Sequence, residues 1–335
     1  MKMNVLELFS GIGGMHMALE ESGVEGNVVA SVEINPNANV IYRHNFPEIN
    51  ILNKNIEGLT GEFINKLDIN TILMSPPCQP FTRNGLKNDV KDTRTNPFMH
   101  ILNLLPELTK VGRILIENVK GFEKSEMRGI LLDVLKKNDF IWQEFILTPT
   151  QIGVPNTRHR YYCLAKRRPL QFDFDVGDLM EILPNYNSKT ELYPISEILE
   201  KTIKTEEYML SEKVLVKRLK VLDICYSDSK RSCCFTKAYS KFLEGTGSVY
   251  TAKSQKEYKE VCDEISINKN DRDKISLMKS LELRFFSPKE ISRLMSFPEK
   301  FSFPDDGVVK LRQKYMLLGN SINVKVVSEL IKLLK

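Results

Sequence analysis

Several groups of residues in this chain have types and spacings that could do chemistry. The first is a glycine-rich turn, Phe9-Ser10-Gly11-Ile12-Gly13-Gly14, which follows an apolar run and leads into a helix-type segment. Glycines in such a turn let a ligand approach the backbone, and the free N–H groups of a helix start favour an anion. Glu33 stands 22 residues after Gly11, at the end of the next β-type run, where a carboxylate takes ribose hydroxyls. Together they point to an adenosine-type cofactor. The glycine spacing is not GxGxxG, which disfavours a dinucleotide and with it a nicotinamide dehydrogenase. Taken alone, a plain strand-to-helix turn would carry the same glycines.

The second group is Ser75-Pro76-Pro77-Cys78-Gln79-Pro80, after the β-type run 71–74. Prolines on both sides stiffen the chain around Cys78 and present its sulfur. A lone cysteine is most often a buried, inert thiol. Its neighbours argue otherwise, because Glu117, in Glu117-Asn118-Val119 at the end of another β-type run, belongs at the same sheet edge. A thiol beside a carboxyl group suits a nucleophile and a proton donor. Arg158 and Arg160 form a third group: one residue apart at a strand start, they point to one face. There they could clamp a phosphate or polarise a base carbonyl, unless they are two solvated surface arginines. The fourth is residues 229–243, where Lys230, Arg231, Lys237 and Lys241 occur with no acid and are interleaved with Phe235, Tyr239 and Phe242. This mixture suits phosphates and unstacked bases, although a solvated loop has the same composition. The polar segment 84–95, with Lys87, Lys91 and Arg94, reads as a lid or as an ordinary loop.

These groups need a scaffold. β-type runs at 5–9, 28–32, 71–74, 113–117, 140–147 and 161–165 alternate with helix-type runs at 15–21, 36–44, 97–110 and 124–138. That alternation predicts an α/β, doubly wound parallel sheet covered by helices. After 166–169 the pattern is lost to about residue 270, which marks a second, smaller domain. Order returns from 283, with Ser287-Pro288-Lys289-Glu290 as a helix start and a last amphipathic helix over 322–333. Leu318-Gly319-Asn320-Ser321 reads as a turn and cap before that helix.

The chain's 335 residues allow about two domains. A composition that is 42% hydrophobic and 27% charged excludes collagen and general disorder. The excess of 48 basic over 43 acidic residues is too small to argue for nonspecific coating of a duplex. Cys78, Cys163, Cys225, Cys233, Cys234 and Cys262 lack CxxC spacing, so neither a structural zinc site nor disulfides are expected. No apolar run reaches the roughly 18 residues of a membrane helix, and the start has no signal-peptide pattern. The expectation is an intracellular monomer of the cytoplasm, the nucleus or both.

In sequence order, Phe9 to Gly14, Glu33, Asn55-Ile56, Pro77-Cys78-Gln79, Glu117-Asn118-Val119, Arg158 with Arg160, and Gly319-Asn320-Ser321 resemble the cytosine-5 methyltransferases. The resemblance spans almost the whole chain. It implies a Rossmann-like methyltransferase sheet built by residues 1–172 with 305–335, and an inserted target-recognition domain at 173–304. It implies S-adenosyl-L-methionine as methyl donor and S-adenosyl-L-homocysteine as product. The cofactor contacts it implies are Phe9, Ser10, Gly11, Ile12, Gly13, Gly14, Glu33, Ile34, Asn55, Ile56, Pro76, Asn320 and Ser321. In the catalytic set, Cys78 would attack cytosine carbon 6, protonated Glu117 would donate to ring nitrogen 3, and Arg158 and Arg160 would hold the carbonyl and the adjacent backbone.

A narrower likeness concerns the substrate. Cys234-Phe235-Thr236-Lys237, continuing to Glu244-Gly245-Thr246-Gly247-Ser248-Val249, is similar to the eukaryotic type-two branch of DNA-methyltransferase homologues, whose family substrate is aspartate tRNA. A chain with no regulatory domain ahead of its first strand is expected of that branch. An anticodon stem-loop is a fitting partner, since extruding a base costs less from a loop than from a duplex. The contacts expected with it are Lys87, Lys91, Arg94, Lys230, Arg231, Phe235, Thr236, Lys237, Tyr239 and Lys241. Two departures stand out: Asn55 where the family usually has an acid, and Asn156 where DNA-acting members usually have glutamine ahead of the first arginine. The second leans away from DNA. A DNA cytosine-5 methyltransferase and a non-catalytic nucleic-acid-binding homologue are the alternatives.

Overall fold

The computed structural model describes residues 2–77, 95–184, 186, 190–305 and 307–335. The apolar runs form one seven-stranded sheet of β1 (Met3–Leu8), β2 (Gly26–Val32), β3 (Asn50–Leu52), β4 (Thr71–Met74), β5 (Arg113–Val119), β6 (Phe140–Leu147) and β7 (Arg160–Arg167). Their order is β3-β2-β1-β4-β5-β7-β6. Neighbours from β3 to β5 are parallel, and β7 runs antiparallel between β5 and β6. The strand order reverses between β1 and β4, and open α/β sheets bind ligands beyond the carboxyl ends at such a point.

Side chains alternate across the sheet, so each strand feeds two cores. On one face Val5, Leu73, Leu115 and Leu164 pack with α1 (Gly14–Ser22), α2 (Pro36–Asn45) and the last helix, α11 (Val324–Leu334). On the other, Leu6, Leu8, Ile72, Ile114 and Ile116 pack with α3 (Gly61–Lys66), α4 (Asn96–Leu104) and α5 (Glu126–Lys137). α4 stops well short of the predicted residue 110 because Pro106 lacks the N–H a helix needs and starts a tight turn instead.

The rest of the chain supplies α6 (Glu212–Arg218), β8 (Ile224–Cys225), β9 (Val249–Tyr250), α7 (Gln255–Ile267), α8 (Asp271–Ser280), β10 (Arg284–Phe285), α9 (Pro288–Leu294) and α10 (Leu311–Asn320). β8, β9 and β10 form a small second sheet over a core of Leu210, Leu215, Val249, Leu281 and Leu283. α9 starts as expected, with the Ser287 and Glu290 side chains reciprocally capping it. α7 and α8 lie where no pattern was followed. Neither has a fully buried residue, so each shows only a thin apolar stripe. The stripe Tyr258, Val261, Cys262 and Ile265, behind the Ser254–Glu257 capping box, was the signal for α7. Gly319 and Asn320 close α10 rather than forming a free turn. Among the described residues no helix is long and apolar enough to cross a membrane, and no cluster of His, Cys, Asp or Glu is placed to hold a metal.

The turn between β1 and α1 is held by two carboxylates. Glu33 accepts the Gly11 N–H at 2.9 Å and the Asn35 N–H at 2.8 Å. Glu7, which is buried, accepts the Tyr42 hydroxyl at 2.6 Å on Oε2, while Oε1 is buried without a hydrogen-bond partner among the described residues. That hydroxyl also lies 3.0 Å from His16 Nδ1, and the His16 ring stacks on Phe46 at 3.7 Å. Burial pushes the Glu7 carboxyl up to about 8, against the Tyr42 hydrogen bond. It pushes His16 down to about 4.

The two shifts act oppositely on stability. Between its ordinary 4.5 and about 8, Glu7 keeps in the fold a proton that the unfolded chain has lost, so stability falls as pH rises. Between about 4 and 6.5, His16 lacks a proton that the unfolded chain carries, so stability rises with pH. From 6.5 to 8 only the Glu7 contribution of this pair remains. Urea unfolding across that interval should therefore show a shallower loss of stability in Glu7→Gln than in the parent protein. Parallel slopes would mean that Glu7 is charged in the fold.

Candidate active site

A cavity of about 420 Å³ opens at the carboxyl ends of β1, β2, β4 and β5. Phe9, Ser10, Gly11, Ile12 and Gly14 of the turn line it, with Glu33 and Ile34 at the end of β2. Ser75, Pro76 and Pro77 enter from β4, Glu117 from β5, and Arg158 and Arg160 from the start of β7. Asn320 and Ser321, beyond the body of α10, close the wall beside Lys237. Cys78, Lys87, Lys91 and Arg94 lie outside the described residues.

This lining fits a nucleoside that carries an amino-acid tail. The volume lies within the range of small-molecule sites. Glu33 offers a carboxylate beside an open backbone turn, and Ile34, 64% exposed, offers an apolar surface for a base. Three expected cofactor residues do not line the cavity. Gly13 has φ 84°, and its Cα faces the rings of Tyr42 and Phe46; a Cβ there would stand 2.9 Å from Phe46. Asn55 caps a short turn, accepting the Glu57 N–H at 3.2 Å and donating to Glu57 Oε2 at 2.9 Å. Ile56 is buried in the core beneath α3 and α4.

Glu117 is the buried acid of the site. Arg160 Nε lies 3.3 Å from Glu117 Oε1. Burial raises the carboxyl's pKa, opposed by Arg160, Arg158 and a hydrogen bond from Ser75. The shift is in the direction a proton donor requires.

The two arginines have different work. Arg158 is buried, and its guanidinium donates to Phe235 O at 3.0 Å, to Gly319 O at 3.1 Å and to Ser321 O. These bonds engage both Nη groups on protein carbonyls and leave the buried Nε without a partner among the described residues, so Arg158 works as a positioning residue in the wall of the cavity. Arg160 remains beside Glu117. Cys234 stands next to both, with Sγ 3.5 Å from Arg158 Nη1 and 4.0 Å from Arg160 Nη2. Burial alone would raise this thiol, but the two guanidiniums outweigh it and lower the pKa. Sequence reasoning noted Cys234 only as part of a family likeness. Its place beside the arginines follows from the fold, and the preceding Cys233 was the one local hint.

The residues expected to contact nucleic acid divide. Lys237 reaches the cavity wall, and Lys241 is exposed with its ammonium over Phe242 at 5.0 Å. Phe235 and Tyr239 are 2% and 3% exposed, which corrects the expectation that they stack on bases. They pack edge-on against each other at 5.0 Å, Phe235 against Phe286 and Tyr239 against Tyr315. Thr236 is also turned to the protein, its backbone N–H on Thr246 O and its Oγ1 accepting from Ala238 N. Arg231 pairs with Asp223 at 2.6 Å, and Lys230 lies 3.8 Å from Glu191. Both remain exposed at the surface.

Removing Arg158 leaves three carbonyls, on the 235 loop and at the end of α10, without this donor, each costing about 1–3 kcal/mol where it is buried. Arg158→Ala should therefore lower unfolding stability by about 3 kcal/mol or more in urea. Arg160→Ala, which removes a donor to the neighbouring His159 carbonyl and the partner of Glu117, should cost clearly less. Equal losses would contradict the division of labour between the two arginines.

Comparison with known proteins accounts for this arrangement. The family described as C-5 cytosine-specific DNA methylase matches residues 3–335. A Spodoptera frugiperda protein named tRNA (cytosine(38)-C(5))-methyltransferase is 48% identical over 336 residues, covering 100% of this chain and 99% of the relative. A Dictyostelium discoideum protein named DNA (cytosine-5)-methyltransferase is 40% identical over 375 residues, covering 99% of this chain and 94% of the relative. The crystal structure of a mutant of Spodoptera frugiperda DNMT2 superposes with a TM-score of 0.91 at 46% identity, covering 99% of each chain. With a buried acid, an arginine and a glycine-rich turn around one cavity, and a family match along almost its full length, this chain belongs to the C-5 cytosine methyltransferases.

Proposed function

We propose that this protein methylates carbon 5 of a cytosine in the anticodon loop of a tRNA, with aspartate tRNA as the expected substrate. The observation that carries the chemistry is the Glu117–Arg160 pair on the wall of the cavity that also holds the glycine-rich turn and Glu33. The choice of RNA rests on the relatives: the Spodoptera protein is named for cytosine 38 of tRNA. The Dictyostelium relative, named for DNA, keeps DNA as a second reading.

The family's methyl donor is S-adenosyl-L-methionine, which supplies an electrophilic methyl group on a sulfonium. In this reading Glu33 takes its ribose hydroxyls, the turn Phe9 to Gly14 receives its amino-acid end, and Ile34 covers its base. Pro76, Asn320 and Ser321 complete the wall. Cytosine carbon 5 is a weak nucleophile, so a covalent bond at carbon 6 must first break the ring's aromaticity. Cys78, next in the chain after Pro77, makes that bond. Glu117 donates its proton to ring nitrogen 3 and accepts from the exocyclic amine, while Arg160 neutralises the carbonyl oxygen. Carbon 5 would then accept the methyl group as the donor's methyl–sulfonium bond breaks to leave the thioether; loss of the carbon 5 proton to water, return of the nitrogen 3 proton to Glu117 and departure of the Cys78 thiolate would restore the carbon 5–carbon 6 double bond. Lys237 and Lys241, with Lys87, Lys91, Arg94, Lys230 and Arg231, meet phosphates. Residues 173–304 read the target, and 1–172 with 305–335 perform the transfer.

Bisulfite sequencing of tRNA incubated with protein and methyl donor tests the reading, with duplex DNA run in parallel. New protection at an anticodon-loop cytosine is expected, and clear preference for DNA would overturn the substrate. Cys78→Ala should abolish turnover and keep cofactor affinity within a few fold. Glu117→Gln should fold normally and slow transfer by about 10²–10⁴-fold, the scale of acid catalysis. Near-parental turnover in either variant would remove that residue from the mechanism.

A further inference from the structure

Asn156, which departs from the glutamine usual in DNA-acting members, is 1% exposed and stands just ahead of β7. Its side-chain amide reaches across to the loop that carries Cys234 and Lys237. Nδ2 donates to Ser232 Oγ at 3.1 Å and to Cys233 O at 2.9 Å. The same two segments are tied again by Ser232 Oγ donating to Pro155 O at 2.6 Å and by Thr157 N donating to Ser232 O at 3.0 Å. Behind the loop, Cys233 N donates to Ser248 Oγ at 2.8 Å, and that hydroxyl donates to Asp223. The residue before Cys234 is therefore held by Asn156, and the residue after it, Phe235, by Arg158.

We propose that Asn156 is a positioning residue for RNA methylation: its amide sets the 232–237 loop so that Lys237 reaches the cavity and the Cys234 thiol rests against Arg158 and Arg160. The inference builds on the RNA-methylating reading above. A glutamine carries its amide one methylene further from the backbone, so at this buried site it must displace the loop or lose its partners, each costly without water. Alanine leaves the Cys233 carbonyl without this donor. Misplacing a site element by about 1 Å can cost about 10²-fold in rate.

The test compares the full chain with Asn156→Ala and Asn156→Gln, the second keeping an amide and filling the space. Steady-state kinetics on tRNA, calorimetry with S-adenosyl-L-homocysteine, and the pH profile of Cys234 alkylation followed by peptide mass spectrometry are measured for each. In both variants kcat/KM on tRNA should fall tenfold or more, cofactor affinity should stay within twofold, and the Cys234 profile should move to higher pH as the thiol leaves the guanidiniums. Parental kinetics with a parental Cys234 profile would overturn the proposal. So would loss of cofactor binding in step with activity, which would make Asn156 a residue of general folding. A parent protein inactive on tRNA would sink the substrate reading separately, and the alkylation profiles would still decide whether Asn156 sets the loop.

Discussion

The site depends on one buried cation. Arg158 is drawn out of water and given as partners the backbone carbonyls of Phe235 and, far along the chain, of Gly319 and Ser321. A flat guanidinium with five donors can address two segments at once, which a lysine ammonium on a flexible stem does poorly. Through it the start of β7, the loop before β9 and the end of α10 share one fixed geometry. Removing water from this charge is unfavourable unless protein groups replace it, and both Nη groups depend on carbonyls from outside β7, so the three segments must arrive together. The acid, the second arginine and the thiol of Cys234 all sit within the frame this produces.

Around that frame two carboxyl groups are tuned differently. Glu33, at the end of β2, spends its oxygens on the N–H groups of the turn and of Asn35. Glu117 pairs with Arg160 at 3.3 Å in a drier environment, and burial raises its carboxyl's pKa. Position on the sheet thus separates a carboxyl group engaged with backbone N–H groups from one that faces the cavity beside an arginine.

Much of this was legible in the residues, and the limits follow from physics. Strands such as 71–74 and 140–147 were recoverable to the residue because buried strands are dense in apolar side chains with sharp polar ends. Glu33 and Glu117 could be named because each stands at the carboxyl end of a strand, the edge where open α/β sheets bind ligands. Phe235 and Tyr239 could not be placed, since an aromatic residue in a basic loop has the same spelling whether it turns to a base or to Phe286 and Tyr315. Asn55 lies off the cavity wall for a related reason: its short polar side chain bonds within its own turn. Arg158 and Arg160 read as equals, and only the carbonyls brought in from elsewhere in the chain tell them apart.

Gly319 deserves one further thought. Any side chain at this position would collide with the main chain of Thr236 and Lys237, so two stretches of backbone touch with nothing between them. Such a joint has no compliant layer through which the halves could swing like a clam. Parting the 236–237 stretch from the end of α10 would mean breaking direct main-chain contact, so on this side the chamber is braced by the chain itself.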